Sequence, residues 1–235
     1  MRNFCAEGEQ IVADANPGDA SRGPAVLPRL NQVAAGATIT ASTMTTGLTL
    51  ALIGMPGCGK STVGRHLARH LGLRFVDADT ELESRIGMPI RAFFETRGEA
   101  AFRDEEQAVI EDLSQGRRML IATGGGVVLR PANREVLHAR CKVFYMRATP
   151  EELFRRLRHD THRPLLQVAD PLKRLRDLYR ERDPLYRRAA HFTVETTRPS
   201  VQGLQHMILM QLELAGLIDA AMVPSPVDPL PHPVE

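Results

Sequence analysis

One short stretch restricts the possible folds of this chain more than any other. Residues 54–62 read GMPGCGKST, which fits the spacing G-x-x-x-x-G-K-[ST], and they follow the apolar run Leu48–Ile53. After them, Val63, Leu67 and Leu71 recur at the spacing of an amphipathic helix. A glycine-rich turn between a buried strand and a helix forms a phosphate-binding loop when it has this spacing. We therefore predict such a loop; the alternative is a plain glycine turn in a strand-to-helix connection.

The residue types of this loop indicate what each would do. Its glycines allow successive main-chain N–H groups to surround phosphate oxygens, and the following helix directs the positive end of its dipole at them. Lys60 is expected to reach the β- and γ-phosphates of ATP, and the Ser61 hydroxyl to ligate Mg²⁺. Cys58 fits as a small residue in a tight loop, with a redox role as the alternative. The predicted ATP-binding residues of the loop are Gly57, Cys58, Gly59, Lys60, Ser61 and Thr62.

Short apolar runs alternate with helical patterns along the rest of the chain. Helical periodicity covers Glu99–Leu113 and Val201–Leu217, and Asp170-Pro171 supplies a helix start. Strands separated by helices indicate an α/β fold with a parallel sheet. The predicted strands are Leu50–Met55, Leu73–Val76, Met119–Ala122, Val143–Met146 and Phe192–Val194.

Length and composition predict one domain with two terminal segments. The chain has 235 residues, of which 43% are hydrophobic, so it can bury one core. The predicted strands and helices place the domain at residues 47–218. Residues 1–46 show no periodicity and predict a disordered extension, and the proline-rich residues 219–235 predict a flexible tail.

Charge, hydropathy and cysteine content exclude several classes of function. The net charge of +2 is too small for a nucleic-acid-binding surface, although the arginine-rich region 130–188 suits a small anionic substrate. No apolar run approaches the roughly 20 residues of a membrane span, and Glu7 and Glu9 do not fit a signal or transit peptide. The three cysteines are widely spaced, without a disulfide or zinc pattern. We therefore expect a cytoplasmic protein that binds neither membrane nor nucleic acid.

Two further motifs follow predicted strands at the sheet edge where ligands bind. The run FVDADTELE places Asp77 and Asp79 two residues apart, so we expect both carboxylates on one face of the strand end. One could serve Mg²⁺ through water and the other an acceptor hydroxyl; a solvated strand end is the alternative. Gly124, Gly125 and Gly126 end the run MLIATGGG, where the main chain can press against a compact ligand. A flexible turn is the alternative there.

Taken in order, these motifs resemble those of the shikimate kinases. The matching segments extend over about residues 48–217 and are the phosphate loop, Asp77 and Asp79, IRAFFETRGEAAFRDEE, TGGG, RPLL at 163–166 and RDPLY at 182–186. The resemblance implies a three-layer P-loop kinase fold, with helices covering a five-stranded parallel sheet of order 2-3-1-4-5 and a mobile lid at about 156–170. It also implies Mg²⁺- and ATP-dependent phosphorylation of the shikimate 3-hydroxyl. A compact kinase of this size is expected to be a monomer.

The resemblance assigns roles on the acceptor side. Asp79 would contact the ring hydroxyls and either take the proton of the attacking hydroxyl or aim it, while Asp77 would belong to the Mg²⁺ shell. Arg103 and Arg182 match the arginines that grip the shikimate carboxylate, for which two planar guanidiniums are suited. An ion pair with Glu106 is the alternative for Arg103, and both can hold because Glu106 would orient Arg103. The glycines at 124–126 would lie against the ring.

The resemblance also assigns two arginines to the nucleotide side. Arg163 matches the lid arginine that reaches the phosphates in the closed state, with a solvated loop charge as the alternative. Arg156 matches the position that stacks on adenine. Two other functions stay open at this point: a related kinase for gluconate or a nucleoside monophosphate, and a nucleotide-sensing module that binds ATP without turnover.

Overall fold

The computed structural model describes residues 47–158, 168–196 and 200–224. The predicted extension at 1–46 lies outside the described residues. So do Arg163, most of the predicted lid and the last part of the predicted tail. Within the described residues, no helix is both long and apolar enough to cross a membrane.

Five parallel strands form one sheet, and the order β2-β3-β1-β4-β5 confirms the predicted one. Every residue of β1 and β3 is buried, as expected for central strands of a parallel sheet that helices cover on both faces. The first strand is shorter than predicted, because Gly54 and Met55 belong to the phosphate loop. The strands are β1 Thr49–Ile53, β2 Arg74–Asp77, β3 Met119–Ala122, β4 Lys142–Arg147 and β5 Phe192–Glu195.

Helices connect and cover these strands. The longest, α3, contains a break at Gly98, which has φ of 79°; the predicted helix at 99–113 is its second half. The predicted start at Asp170 is confirmed, since its side chain accepts the Lys173 N–H at 2.9 Å. The helices are α1 Lys60–Leu71, α2 Ala78–Ile86, α3 Ile90–Ser114, α4 Pro131–Arg140, α5 Pro150–Leu157, α6 Pro171–Ala189 and α7 Val201–Leu214, with short 3₁₀ helices at Val127–Leu129 and Ala220–Met222.

Helix α1 lies close against the sheet. A Cβ atom at Gly64 would come within 2.8 Å of Phe75 and 3.0 Å of Leu120, so a larger residue there would push α1 away from β2 and β3. The buried face of α1 includes Val63, Leu67 and Leu71, the stripe on which the prediction of this helix rested. This packing fixes the first turn of α1, and with it the phosphate loop, at the carboxyl edge of the sheet.

The packed part of the chain continues beyond residue 218, where the flexible tail was predicted to begin. Asp219 caps a 3₁₀ turn by accepting the Ala221 N–H at 2.9 Å. The Met222 carbonyl oxygen lies 2.6 Å from Nε2 of His70, and Met222 and Val223 pack against the core. Apolar residues ahead of the prolines therefore extend the packed part of the chain to at least Val223.

Candidate functional site

A cavity of about 660 Å³ opens at the carboxyl edge of the sheet. It is bounded by the phosphate loop, the start of α2, the loop after β3 and the end of α5. Most of the residues predicted for the nucleotide and the metal line this one cavity, as does Asp79. The lining residues are Pro56, Gly57, Gly59, Lys60, Ser61, Thr62, Asp77, Asp79, Ile90, Thr123, Gly125, Arg156 and Leu157.

The phosphate loop has backbone angles that favour glycine. Gly57 and Gly59 have φ of 82° and 98°, in the left-handed region that other residues rarely adopt. A Cβ atom at Gly57 would also lie 2.7 Å from Leu157, so α5 closes over the loop tightly at that point. Gly59 precedes α1, whose first N–H groups have no partner within the helix, and Lys60, Ser61 and Thr62 of that first turn line the cavity. The loop is therefore shaped to surround an anion with main-chain donors.

Lys60 is buried at the base of the loop. Its Nζ donates to the carbonyl oxygens of Gly54 at 2.9 Å and Met55 at 3.1 Å. Cys58 is fully buried, with its sulfur 3.8 Å from the same amine. The two carbonyls hold the ammonium group within the loop, where it borders the cavity. The buried position of Cys58 agrees with its interpretation as a small packing residue.

Ser61 and Asp77 form a hydroxyl–carboxylate pair beside the loop. The Ser61 Oγ donates to Oδ2 of Asp77 at 2.6 Å. These two oxygens have the chemistry that Mg²⁺ prefers, and Mg²⁺ commonly takes one or two protein oxygens while water and substrate phosphates complete its shell. No group of three or more metal-ligating His, Cys, Asp or Glu side chains occurs among the described residues. The pair therefore fits a magnesium ion that is shared with a phosphate chain.

The position of Asp79 corrects one prediction. The strand ends at Asp77, whose Oδ1 accepts the Asp79 N–H at 3.2 Å and so caps α2. Asp79 thus lies in the first turn of α2, and the two carboxylates do not share a strand face. The helix start turns Asp79 toward the glycine loop after β3, where a Cβ atom at Gly124 would meet its Oδ1 at 2.6 Å.

The environment of Asp79 makes its carboxyl a weaker acid than an ordinary aspartate. The residue is open to the cavity, but the surrounding protein removes part of its hydration. This desolvation raises the pKa of the Asp79 carboxyl; the Lys60 and Arg103 charges oppose the rise, while the Asp77 and Glu83 charges add to it. A carboxylate with a raised pKa is a better proton acceptor than an ordinary aspartate.

Arg103 lies beside the third glycine of the loop after β3. A Cβ atom at Gly126 would come within 2.6 Å of its Nη2. Nη1 of Arg103 donates to Glu106 at 2.8 Å, and Nη2 to Glu99 at 3.0 Å. The ion pair with Glu106 that the sequence suggested is therefore present. Because the Glu106 side chain is only 7% exposed and that of Glu99 is 64% exposed, Glu106 is the partner that holds Arg103 in place.

The carboxylate of Glu106 pairs with Arg103 and also lies within the electrostatic influence of Arg182. Burial raises the pKa of its carboxyl, and the neighbouring positive charges of Arg103 and Arg182 act against that rise. Arg182 donates from Nη1 to the Gly125 carbonyl oxygen at 3.1 Å. The glycine loop therefore has Arg103 against Gly126 and Arg182 against Gly125, so the two guanidiniums lie against consecutive residues of one loop.

Each of the three glycines faces a different part of the protein. Gly124 faces Asp79, Gly126 faces Arg103, and a Cβ atom at Gly125 would meet the ring of Pro56 at 2.7 Å. A side chain at any of the three positions would clash with Pro56 of the phosphate loop or with one of these charged residues. The loop after β3 is therefore packed against its neighbours, and we call Gly124–Gly126 the floor of the acceptor site. The sequence had left a flexible turn as the alternative for these residues.

Arg156 borders the nucleotide side of the cavity. Its Nε donates to Glu152 at 3.2 Å, and its Nη2 donates to the Thr196 carbonyl oxygen. Glu152 and Thr196 are both buried, so the guanidinium is anchored at the end of α5. Arg163, the other arginine predicted for this side, lies outside the described residues.

Several residues of the site were missed from the sequence. Thr123 closes the end of β1, because its main-chain N–H and its hydroxyl both donate to the Leu52 carbonyl, at 3.1 and 3.0 Å. Tyr186 donates to the Gly125 carbonyl oxygen at 2.5 Å. Both belong to motifs that the sequence analysis quoted, TGGG and RDPLY, and motif membership was the one available signal. Of the apolar lining residues, Pro56 and Ile90 also belong to quoted motifs, and Leu157 falls only within the predicted lid.

Comparison with known proteins identifies a family for this chain. A family model for shikimate kinase matches residues 56–213. A shikimate kinase from Paracidovorax citrulli is 58% identical over 173 residues, which make up 72% of this chain and 94% of that protein. One from Burkholderia pseudomallei is 53% identical over 166 residues, or 71% of this chain and 90% of that protein.

A solved structure shares the fold. The shikimate kinase from Acinetobacter baumannii in complex with shikimate superimposes with a TM-score of 0.70 at 42% sequence identity. The match covers 75% of this chain and 98% of that one. The shared part is nearly the whole of the solved chain.

Proposed function

Because the chain belongs to the shikimate kinase family, we propose that it transfers the γ-phosphoryl group of ATP to the 3-hydroxyl of shikimate, giving shikimate 3-phosphate and ADP. One observation carries the proposal for this particular chain. The loop Gly124–Gly126 lies between the phosphate loop on one side and Asp79, Arg103 and Arg182 on the other. A phosphate donor and a small hydroxylated acid would therefore meet in one place.

On the nucleotide side, main-chain N–H groups of residues 57–62 would surround the phosphates. Lys60 would exchange its carbonyl partners at Gly54 and Met55 for oxygens of the β- and γ-phosphates, which carry full charge and bind an ammonium more strongly. Arg156 lies at the cavity rim, anchored on Glu152, where its guanidinium plane can stack on an adenine ring. These contacts would place the γ-phosphoryl group at the carboxyl edge of β1.

Ser61 and Asp77 would hold Mg²⁺ with the nucleotide phosphates and water completing the shell. Bound there, the ion would neutralise charge on the β- and γ-phosphates. The Ser61 proton that now points to Asp77 leaves an Oγ lone pair free for coordination. Asp77 keeps its second role as the cap of α2, so the same residue would link the metal position to the position of Asp79.

On the acceptor side, Arg103 and Arg182 would bind the shikimate carboxylate, and the ring would lie on the glycine loop. Asp79 would accept a hydrogen bond from the 3-hydroxyl. In the transfer, that hydroxyl oxygen forms a bond to the γ-phosphorus, the bond from phosphorus to the β-γ bridging oxygen breaks, and the hydroxyl proton passes to Asp79. The raised pKa of Asp79 suits it to hold that proton, and alignment supplies most of the remaining rate enhancement.

We assign Arg163 to charge stabilisation of the transferred group, on its match to the family motif. Phosphoryl transfer spreads negative charge over the transferred oxygens, and an arginine there acts mainly on the transition state. Arg163→Ala should therefore lower kcat by about 100-fold or more while the KM of shikimate changes little. A rise in KM with an unchanged kcat would instead place this arginine in ground-state binding.

The decisive experiment measures ADP release from Mg·ATP with shikimate as the acceptor. We expect saturable turnover that depends on shikimate, and product analysis should show the phosphate on the 3-hydroxyl. Gluconate and a nucleoside monophosphate in the same assay test the two related kinase activities. Binding of ATP without ADP release for any acceptor would instead support a nucleotide-sensing module.

We further propose that the enzyme works as a cytoplasmic monomer. The phosphate loop, the Ser61–Asp77 pair and Asp79 of one chain already lie around one cavity, which supports a site formed within a single copy. Among the described residues, Cys58 and Cys141 are both free and buried, which fits a reducing compartment. Light scattering during size-exclusion chromatography would measure the mass, and a mass of twice 26.0 kDa would contradict the monomer.

A further inference from the structure

Tyr186 has no role in the reaction described above, although its hydroxyl reaches the floor of the acceptor site. This hydroxyl donates to the carbonyl oxygen of Gly125 at 2.5 Å. Nη1 of Arg182 donates to the same oxygen at 3.1 Å. A carbonyl oxygen has two lone pairs, so the tyrosine and the arginine together occupy the accepting capacity of this one atom.

Gly125 differs from its two neighbours in this respect. The carbonyl of Gly124 accepts the Val127 N–H at 3.4 Å, and that of Gly126 accepts the Leu129 N–H at 3.0 Å. Those carbonyls are held by the local turn, whereas the carbonyl of Gly125 is held by side chains from α6. The orientation of the central peptide of the floor therefore depends on α6.

Packing in the core holds the Tyr186 side chain in place. It is fully buried, and its ring stacks on that of Tyr145 with centroids 4.9 Å apart and planes inclined by 23°. The Tyr145 hydroxyl donates in turn to Oδ1 of Asp183 at 2.8 Å. Burial raises the pKa of the Tyr186 hydroxyl far above its ordinary value, so the group keeps its proton and remains a donor at any working pH.

Arg182 is left with an unused donor. Its Nε is buried and has no hydrogen-bond partner among the described residues, while Nη1 is taken by Gly125. The edge of a guanidinium that carries Nε and Nη2 can bind a carboxylate through two parallel hydrogen bonds. Fixing Nη1 on the Gly125 oxygen reserves that edge for an acceptor.

We propose that Tyr186 is a positioning residue for the acid substrate: its hydroxyl fixes the Gly125 carbonyl and, through that oxygen, the guanidinium of Arg182. This inference rests on the proposed function, since it assumes that Arg182 binds the shikimate carboxylate. Tyr186 itself does not touch the substrate in this proposal. It acts only through the Gly125 carbonyl oxygen, to which both its hydroxyl and the Arg182 guanidinium donate.

The test is Tyr186→Phe in the full chain, since phenylalanine keeps the stacked ring and removes only the hydroxyl. We expect kcat/KM for shikimate to fall about tenfold, mainly through a higher KM, while the KM of ATP stays unchanged. Tyr145→Phe is the matched control, because it removes an equally buried hydroxyl whose partner is Asp183. It should lower the Tm without a comparable rise in the KM of shikimate.

A double-mutant cycle with Arg182→Lys shows whether Tyr186 acts through the arginine. Lysine cannot form the fork, so Tyr186→Phe should have little further effect in that background, and the two losses should not add. Three outcomes would each overturn the proposal. The two losses could add, or Tyr186→Phe could raise the KM of ATP as much as that of shikimate. The third is that Tyr186→Phe fails to fold while Tyr145→Phe folds. Wild-type protein that does not turn over shikimate would overturn the proposed function as well, whereas normal wild-type turnover with an unaffected Tyr186→Phe would overturn this inference alone.

Discussion

The two sides of the cavity are built in different ways. The nucleotide side comes mainly from one continuous stretch, residues 54–62, and its binding groups are largely main-chain N–H groups. The acceptor side takes Asp79 from α2, Arg103 from α3, Arg182 from α6 and its floor from the loop after β3. Local backbone angles determine the first side, whereas the packing of distant elements determines the second.

This difference has a physical consequence for substitutions. The nucleotide side depends on φ values at Gly57 and Gly59, which are set within one short loop. On the acceptor side, Glu106 holds Arg103, and Tyr186 shares an acceptor oxygen with Arg182. We therefore expect changes on the nucleotide side to disable ATP use as a whole, and changes on the acceptor side to give graded losses in the use of shikimate.

Lys60→Ala should have the largest effect and should separate the two sides most clearly. Removal of the ammonium takes away the charge that aligns the phosphates, so kcat should fall by about 10³-fold or more. Shikimate binding, measured by titration calorimetry, should persist, because Arg103 and Arg182 are untouched. The exposed Lys173 provides a control, since Lys173→Ala removes the same group outside the cavity. Loss of shikimate binding in Lys60→Ala would mean that the two sides are not independent.

Asp79→Asn should lower kcat by about 10²- to 10³-fold, because asparagine cannot take the hydroxyl proton. The raised pKa of Asp79 also predicts that wild-type kcat falls with decreasing pH at a higher pH than an ordinary aspartate would give. This acid limb should disappear in Asp79→Asn. Asp112→Asn is the control, since that carboxylate lies at the surface and pairs with Arg85. An unchanged acid limb in Asp79→Asn would assign it to another group, with the buried Glu106 as the first candidate.

The same shift predicts the sign of a stability effect. Since the folded-state pKa of Asp79 is raised, the unfolded chain gives up this proton more readily than the folded protein does. The contribution of Asp79 to stability is then most favourable below its unfolded pKa and is lost as pH rises through the folded value. Asp79→Asn should accordingly raise the Tm at neutral pH, and a lower Tm would contradict the desolvation that the structure indicates.

Arg103→Lys should lower kcat/KM for shikimate by about 100-fold, because lysine keeps the charge but loses the planar fork. The KM of ATP should stay near that of the wild type. Arg176→Lys is the control, because it makes the same change at the surface. The side chains of Arg176 and of its partner Glu151 are both more than half exposed. Equal losses for shikimate and ATP in Arg103→Lys would show that the substitution disturbs α3 rather than the carboxylate site.

Much of the fold was predictable because its signals are local. The apolar runs predicted all five strands, helical periodicity predicted α1, the second half of α3 and α7, and the helix start at Asp170-Pro171 predicted α6. Helices α2, α4 and α5 were missed because they have 9, 10 and 8 residues, which is too short for a clear period. The first half of α3 was missed because Gly98 breaks the helix there.

For the site, too, features set by neighbouring residues were predictable and features set by distant contacts were not. Spacing alone predicted the phosphate loop, since the glycines that form it stand next to the lysine they serve. The position of Asp79 was wrong, because an aspartate at a strand end can also cap a helix, and Asp77 does so. The pairing of Arg103 with Arg182 came only from the family resemblance. Nothing in the sequence indicates that two residues so far apart in the chain meet at one glycine loop.

Gly126→Ala tests how narrowly the acceptor side is fitted, and its effect should be the smallest of these. Gly126 has φ of −98° and ψ of −5°, which alanine adopts without strain, so the substitution acts only through its new methyl group. That group would come within 2.6 Å of Nη2 of Arg103, whose Nη1 is tied to the buried Glu106. The guanidinium must therefore shift, and we expect about a tenfold rise in the KM of shikimate with the KM of ATP unchanged.

Gly47→Ala adds the same methyl where nothing lies within 4 Å and should leave both constants as in the wild type. An unaffected KM of shikimate in Gly126→Ala would show that Arg103 has room to move, and the acceptor side would then tolerate change as well as an ordinary surface does.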